Sequence, residues 1–168
     1  MRLFIAIPIA AELLEALEAV QQQLKAQGVR AHYTRLENLH ITLAFIGNSE
    51  RVDEAAAVMR QFPLPKQPVE LAGFGHFGKG RSLTLWVGLK EHRELSNLAV
   101  NLQTALREAG FDIDVRRFRP HITIARQAQD IRDAWVEIPA RSQPISNIIL
   151  YRSDVTNGRR VYTPLETA

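Results

Sequence analysis

The chain carries "NLHITLAFIG" from Asn38 to Gly47 and "FRPHITIARQ" from Phe118 to Gln127. Each segment sets a His and a Thr two residues apart inside a short apolar run. His40 and His121 stand 81 residues apart in a chain of 168, close to half its length. A duplication would put equivalent strands at that distance, and the period is too long for a solenoid repeat. The pattern therefore predicts two similar halves, each contributing one marked strand.

The remaining periodicities agree with an α+β class. Arg2 to Pro8 reads as a strand, and the helical spacing of apolar residues predicts a helix over Ala10 to Gln27, stopped by Gly28. An extended piece at His32 to Arg35 leads into the strand "LHITLAFIG". "SERVDEAAAVMRQF" reads as a second helix with Ser49 as N-cap and Pro63 beyond its end. "VELAGFGHF" and "SLTLWVGL" flank the turn "GKGR" as a hairpin, and "HRELSNLAVNLQTALREAG" is a third helix. After the strand "PHITIAR" comes a weak helical piece. "ISNIILYRSDV" and "RRVYTPLE" then flank "TNG" as a second hairpin. This order predicts a bilobal, pseudo-two-fold fold, with antiparallel sheets, helices on their outer faces and a central groove.

In a strand, residues two apart share a face. His40 and Thr42 then face one way, with Ile41, Leu43 and Phe45 turned against a helix layer. His121 and Thr123 likewise oppose Ile122 and Ile124. Two imidazoles and two hydroxyls converge if the strands lie near a pseudo-two-fold axis. Displacement at phosphorus suits that set. It needs a base for the attacking oxygen and an acid for the leaving oxygen, and His titrates near neutrality. Hydroxyl donors stabilise the non-bridging oxygens, and the ring strain of a 2′,3′-cyclic phosphate lowers the barrier. One His-x-Thr on a strand is usually structural. Two copies with matching apolar flanks carry the signal.

Composition bounds the alternatives. At 168 residues the chain reads as one domain, 1–168, burying roughly 70% of its unfolded surface. It has no cysteine, which excludes disulfides, thiolate metal sites and cysteine nucleophiles and fits a reducing cytoplasm, the expected location. The start "MRLFIAIPIAAELLEAL" reads as strand and helix rather than signal peptide, because Glu12 and Glu15 follow the apolar run at once. No apolar stretch approaches a membrane span. A pI near 9.6 comes with grouped arginines: Arg116, Arg117, Arg119 and Arg126, then Arg152, Arg159 and Arg160. Guanidinium groups match phosphate geometry. No acidic residue falls on the exposed face of either marked strand, and His32, His76 and His92 are poorly placed, so neither metal nor cofactor is expected. No Gly-x-Ser-x-Gly elbow supports a serine hydrolase.

"HITL" at 40–43 and "HITI" at 121–124 resemble the paired motifs of the 2H phosphoesterase superfamily. "MRLFIAI", "ENLHITLAFIG", "RPHITIAR" and "YTPL" together resemble its bacterial RNA 2′,3′-cyclic phosphodiesterases, the 2′-5′ RNA ligase-like branch. The resemblance implies metal-free hydrolysis of an RNA or nucleotide 2′,3′-cyclic phosphate to the 2′-phosphomonoester in an open groove. It implies His40 as proton donor and His121 as proton acceptor, an order the sequence symmetry leaves open. Thr42 and Thr123 map onto phosphate-contacting hydroxyls, and Arg126 matches an arginine five residues after the second His. By strict alternation, however, Arg126 points away from the groove, unless the strand bulges or ends first or the side chain reaches around the edge. Phe4 and Tyr33 are candidates for base stacking, with core packing as the plainer role. Relatives often carry Trp at position 33 and arginine where this chain has Leu83. A monomer acting on RNA ends is expected, with no membrane partner. The rivals are a 2′-5′ RNA ligase at the same site, told apart by joined product, and a non-catalytic RNA-binding module indifferent to loss of the histidines.

Overall fold

The computed structural model describes residues 1–114 and 117–168. Arg116, one of the grouped arginines, lies outside the described residues. Strand β1 (Arg2–Pro8) runs into α1 (Ala11–Ala26), then β2 (Arg30–Tyr33), a 3₁₀ turn (Leu36–Asn38), β3 (His40–Asn48) and α2 (Val52–Met59). The second part holds β4 (Val69–Phe77), β5 (Leu83–Leu89), α3 (Arg93–Glu108), β6 (His121–Gln129), β7 (Ser142–Gln143), β8 (Ile149–Thr156) and β9 (Arg159–Thr167).

Two antiparallel sheets result, ordered β3-β1-β8-β9 and β2-β6-β5-β4-β7. We call them the His40 sheet and the His121 sheet. They are not the two consecutive halves of the chain. The first half gives β2 and α1 to the His121 sheet, where α1 packs on β6 and β7. The second half gives β8 and β9 to the His40 sheet and lays α3 on β3. The pseudo-two-fold architecture thus arises by interleaving, because strand pairing is decided by tertiary contacts and not by order along the chain.

Each covering helix buries an apolar stripe at helical spacing. Leu13, Leu17, Val20 and Leu24 of α1 are buried, as are Leu95, Leu98, Leu102 and Leu106 of α3. Each such side chain contributes about 1.5–3 kcal/mol relative to exposure. Both helices leave the groove faces of the sheets uncovered.

Three local expectations need correction. Ser49 does not cap α2: the N-cap is Arg51, and the Ser49 hydroxyl accepts from the Arg51 amide at 3.1 Å, closing the turn before the helix. No helix follows β6. Residues there are held extended by α1, where Gln23 exchanges bonds of 2.7 and 2.8 Å with the Glu137 backbone and Gln27 accepts from the Trp135 amide at 2.8 Å. Side chains substitute for a neighbouring strand. The last hairpin turns on Asn157 and Gly158, both at positive φ, 53° and 75°, as a two-residue turn of this twist requires.

Candidate active site

The groove is built on two matching irregularities. In β3, Ala6 pairs with Thr42 but Ile5 pairs with Ala44, so Leu43 is an extra residue. In β6, Trp86 pairs with Thr123 but Leu85 pairs with Ala125, so Ile124 is extra. At each bulge two consecutive residues turn inward: Leu43 with Ala44, and Ile124 with Ala125, all buried. Alternation changes phase beyond that point. Arg126 therefore shares the groove face with His121 and Thr123, which resolves the parity conflict in favour of the bulge. The same device corrects Phe45, expected against the helix layer but 63% exposed on the groove side.

The bulged residues leave carbonyls that the ladders do not satisfy, and the helices supply donors. Gln103 Nε2 of α3 donates to the Leu43 carbonyl at 2.9 Å. Gln21 Nε2 of α1 donates to the Ile124 carbonyl at 3.0 Å and to the Thr34 carbonyl at 2.8 Å. Sequence reasoning missed both residues. For Gln21 a signal was present: a polar residue on the apolar stripe between Leu17 and Leu24.

The imidazoles are held alike. Nδ1 of His40 lies 2.7 Å from the Asn38 carbonyl, and Nδ1 of His121 lies 2.6 Å from the Arg119 carbonyl. A carbonyl only accepts, so each Nδ1 carries the proton and the lone pair of the neutral ring sits on Nε2. Tyr162 meets the His40 ring edge-on at 5.2 Å, and Phe77 meets the His121 ring edge-on at 5.0 Å. Phe4 and Trp86 add second aromatic contacts, at 5.1 and 6.3 Å. Gly75 makes room for the indole, since a Cβ there would come within 2.3 Å of it.

Burial pushes both imidazoles below the ordinary histidine range. The backbone carbonyls oppose that shift, and the charge of Arg126 adds to it at both rings. The charge of His121 also acts on His40. One guanidinium and two imidazoles thus share one electrostatic neighbourhood, where β3 meets β6. Thr42 and Thr123 stand half-buried beside their histidines. No ion pair neutralises Arg126 among the described residues.

Other candidates lie elsewhere. Tyr33 pairs with Ala125 on the helix side of its sheet, donates to the Val29 carbonyl at 2.7 Å and lies under Lys25, so it does not face the groove. Phe4 faces the groove but is buried beneath Tyr151 and Tyr162, a wall and not an open platform. Arg152 is paired with Asp154 at 2.7 Å, and Arg160 donates to Ser153, which shrinks the expected basic face. Leu83 is core. Among the described residues no group of three or more His, Asp or Glu is placed to hold a metal ion. No helix among them is long and apolar enough to cross a membrane.

The sequence pattern of the 2′-5′ RNA ligase superfamily matches residues 7–155. The chain belongs to this superfamily. Two curated relatives bear the name RNA 2′,3′-cyclic phosphodiesterase. The Geobacillus stearothermophilus protein is 32% identical, with the match covering 90% of this chain and 52% of that one, so the chain spans about half that relative's length. The Escherichia coli K12 protein is 30% identical over 98% of this chain and 94% of its own. The crystal structure of Escherichia coli LigT complexed with 3′-AMP superposes with a TM-score of 0.80 at 28% identity, covering 99% of this chain and 96% of that one. This superfamily member shares the fold of LigT from end to end.

Proposed function

We propose that this superfamily member hydrolyses the 2′,3′-cyclic phosphate of an RNA end or nucleotide to the 2′-phosphomonoester, without metal or cofactor. The observation that carries the reading is the matched pair of imidazoles, each fixed through Nδ1 to a carbonyl and both under the field of Arg126.

In this mechanism Nε2 of His121 takes a proton from water as the water oxygen bonds to phosphorus. The bond from phosphorus to the 3′ oxygen breaks, and that oxygen takes the Nε2 proton of charged His40. Thr42 and Thr123 donate to the non-bridging oxygens, and Arg126 offsets the charge that builds there. The start requires one charged and one neutral ring. Burial and Arg126 disfavour the charged form in the free protein, whereas the arriving phosphate anion favours it. Substrate thus helps to set the protonation state it needs. His40→Ala and His121→Ala should each lower turnover by about 10²–10⁴.

Product analysis with a nucleoside 2′,3′-cyclic phosphate in the presence of EDTA tests the reading. A 2′-phosphate is expected; a 3′-phosphate, or activity only on adding metal, overturns it. The order of the histidines is tested with a substrate whose 3′ oxygen is sulfur, a leaving group that needs no proton. His40→Ala should recover on it and His121→Ala should not; the reverse pattern exchanges the roles. The working form in this reading is a single-domain monomer in the cytoplasm acting on RNA ends. Gel filtration checks its mass.

A further inference from the structure

The groove face of the His121 sheet continues past Arg126. His32 lies directly opposite Arg126 in the β2–β6 ladder, and Arg30 lies opposite Gln129. Arg30 and His32, two apart on one strand, share the side that Arg126 uses. A second bulge falls here, since Leu85 pairs with Ala125 but Leu83 with Ala128. Gln127 takes a left-handed φ of 52°, a conformation costly for any residue with a side chain. Arg126 and Gln127 consequently both stand exposed, where a regular strand would turn one of them inward.

Arg81 and Ser82, from the turn between β4 and β5, close the other side. The result is an open depression of about 430 Å³ lined by Arg30, His32, Arg81, Ser82, Gln127 and Gln129. Two guanidinium groups, an imidazole, two amides and a hydroxyl point to one kind of ligand. No carboxylate lines it. Arg35, Arg51, Arg60, Arg132 and Arg152 are each paired with an acidic side chain, whereas neither Arg30 nor Arg81 is so paired among the described residues.

Distance separates this depression from the reacting phosphate. Gln129 is eight residues beyond His121 along β6, roughly 20–25 Å at about 3.3 Å per residue. A cyclic phosphate also terminates its strand, so the RNA leaves the site in one direction only. We propose that the depression is a second phosphate subsite, which holds a backbone phosphodiester of the RNA whose cyclic end lies between His40 and His121. The inference rests on the reading of the site as a cyclic phosphodiesterase. Arg126, His32 and Arg30 form the track between the two positions, and a guanidinium fork fits a phosphate's paired oxygens. It makes the protein an enzyme of oligonucleotide ends in preference to mononucleotides.

The test compares a nucleoside 2′,3′-cyclic phosphate with an RNA pentamer ending in the same group, using wild type and the double variant R30A/R81A. The ratio of kcat/KM for pentamer over mononucleotide should fall roughly 10-fold or more, and the slope of log kcat/KM against log salt for the pentamer should drop by about 1.4, or ~0.7 per lost phosphate contact. An unaltered ratio overturns the subsite. Should the double variant not fold, R30Q and R81Q are read separately in the same way. Wild type that opens neither substrate refutes the cyclic phosphodiesterase reading instead. The subsite is then judged by fluorescence anisotropy of a labelled RNA pentamer: weaker binding by the variant sustains it, and equal binding ends it.

Discussion

Phe45 and Arg126 occupy equivalent positions in the two sheets, each five residues beyond its histidine and each turned to the groove by a bulge just before it. The histidines and threonines repeat; this pair does not. One wall of the groove therefore offers a ring and the other a cation, which gives a pseudo-symmetric site a direction.

The exposed ring of Phe45 suits a nucleobase face. Stacking of a base on an aromatic side chain is worth about 1–3 kcal/mol. Phe45→Ala should raise KM for nucleoside cyclic phosphates by roughly 5- to 150-fold at that energy. Because the side chain is 63% exposed, the melting temperature should change little. Steady-state kinetics alongside a thermal melt separates the two; a large loss of stability with KM intact would assign Phe45 to packing.

Arg126 holds down the charged forms of both imidazoles. Arg126→Gln should therefore move both histidine titrations upward, read by NMR on the ring protons, while weakening phosphate affinity. Arg126→Lys keeps the charge and should leave the titrations closer to wild type. Titrations that ignore the loss of charge would show that the guanidinium lies outside the site's field.

The pH profile follows from the same shifts. Both folded-state values lie below the ordinary histidine value of about 6.5. The singly protonated free protein is most abundant between the two, so kcat/KM should peak on the acid side of 6.5. Bound phosphate raises both values, and the optimum in kcat should lie at higher pH. Rates measured across pH 4 to 9 decide the matter; a kcat/KM that climbs monotonically through this range would exclude paired acid and base roles.

Gly75 is the least substitutable glycine on the groove. A Cβ would fall 2.3–2.9 Å from atoms of the Trp86 indole, which packs against Phe77 and beside His121. Gly75→Ala should cost about 1–3 kcal/mol, as overpacking does, and lower activity by displacing the wall of the site. Urea denaturation and tryptophan fluorescence report the two effects. A variant with wild-type stability and emission would show that the indole has room to move.

Periodicity made the strands and helices readable, because alternation and helical spacing are local. It also exposed the paired histidines. The bulges were hidden: one extra residue among Leu43, Ala44, Ile124 and Ala125 leaves no compositional trace, yet it decides where Phe45 and Arg126 point. Tyr33 misled for a related reason, since a residue's side of a sheet depends on register against β6. The interleaving of strands was equally unreadable, because nothing along β2 or α1 names the sheet it will join. Gln21 and Gln103 are the side-chain counterparts of those bulges and shared their concealment.

That interleaving has a consequence for the molecule as a whole. A cut in the proline-rich stretch between α2 and β4 would leave the front piece holding the His40 strand without α3, its roof, and the rear piece holding the His121 strand without α1. Neither fragment is self-sufficient. The two imidazoles belong to one cooperative unit, to be kept or lost together.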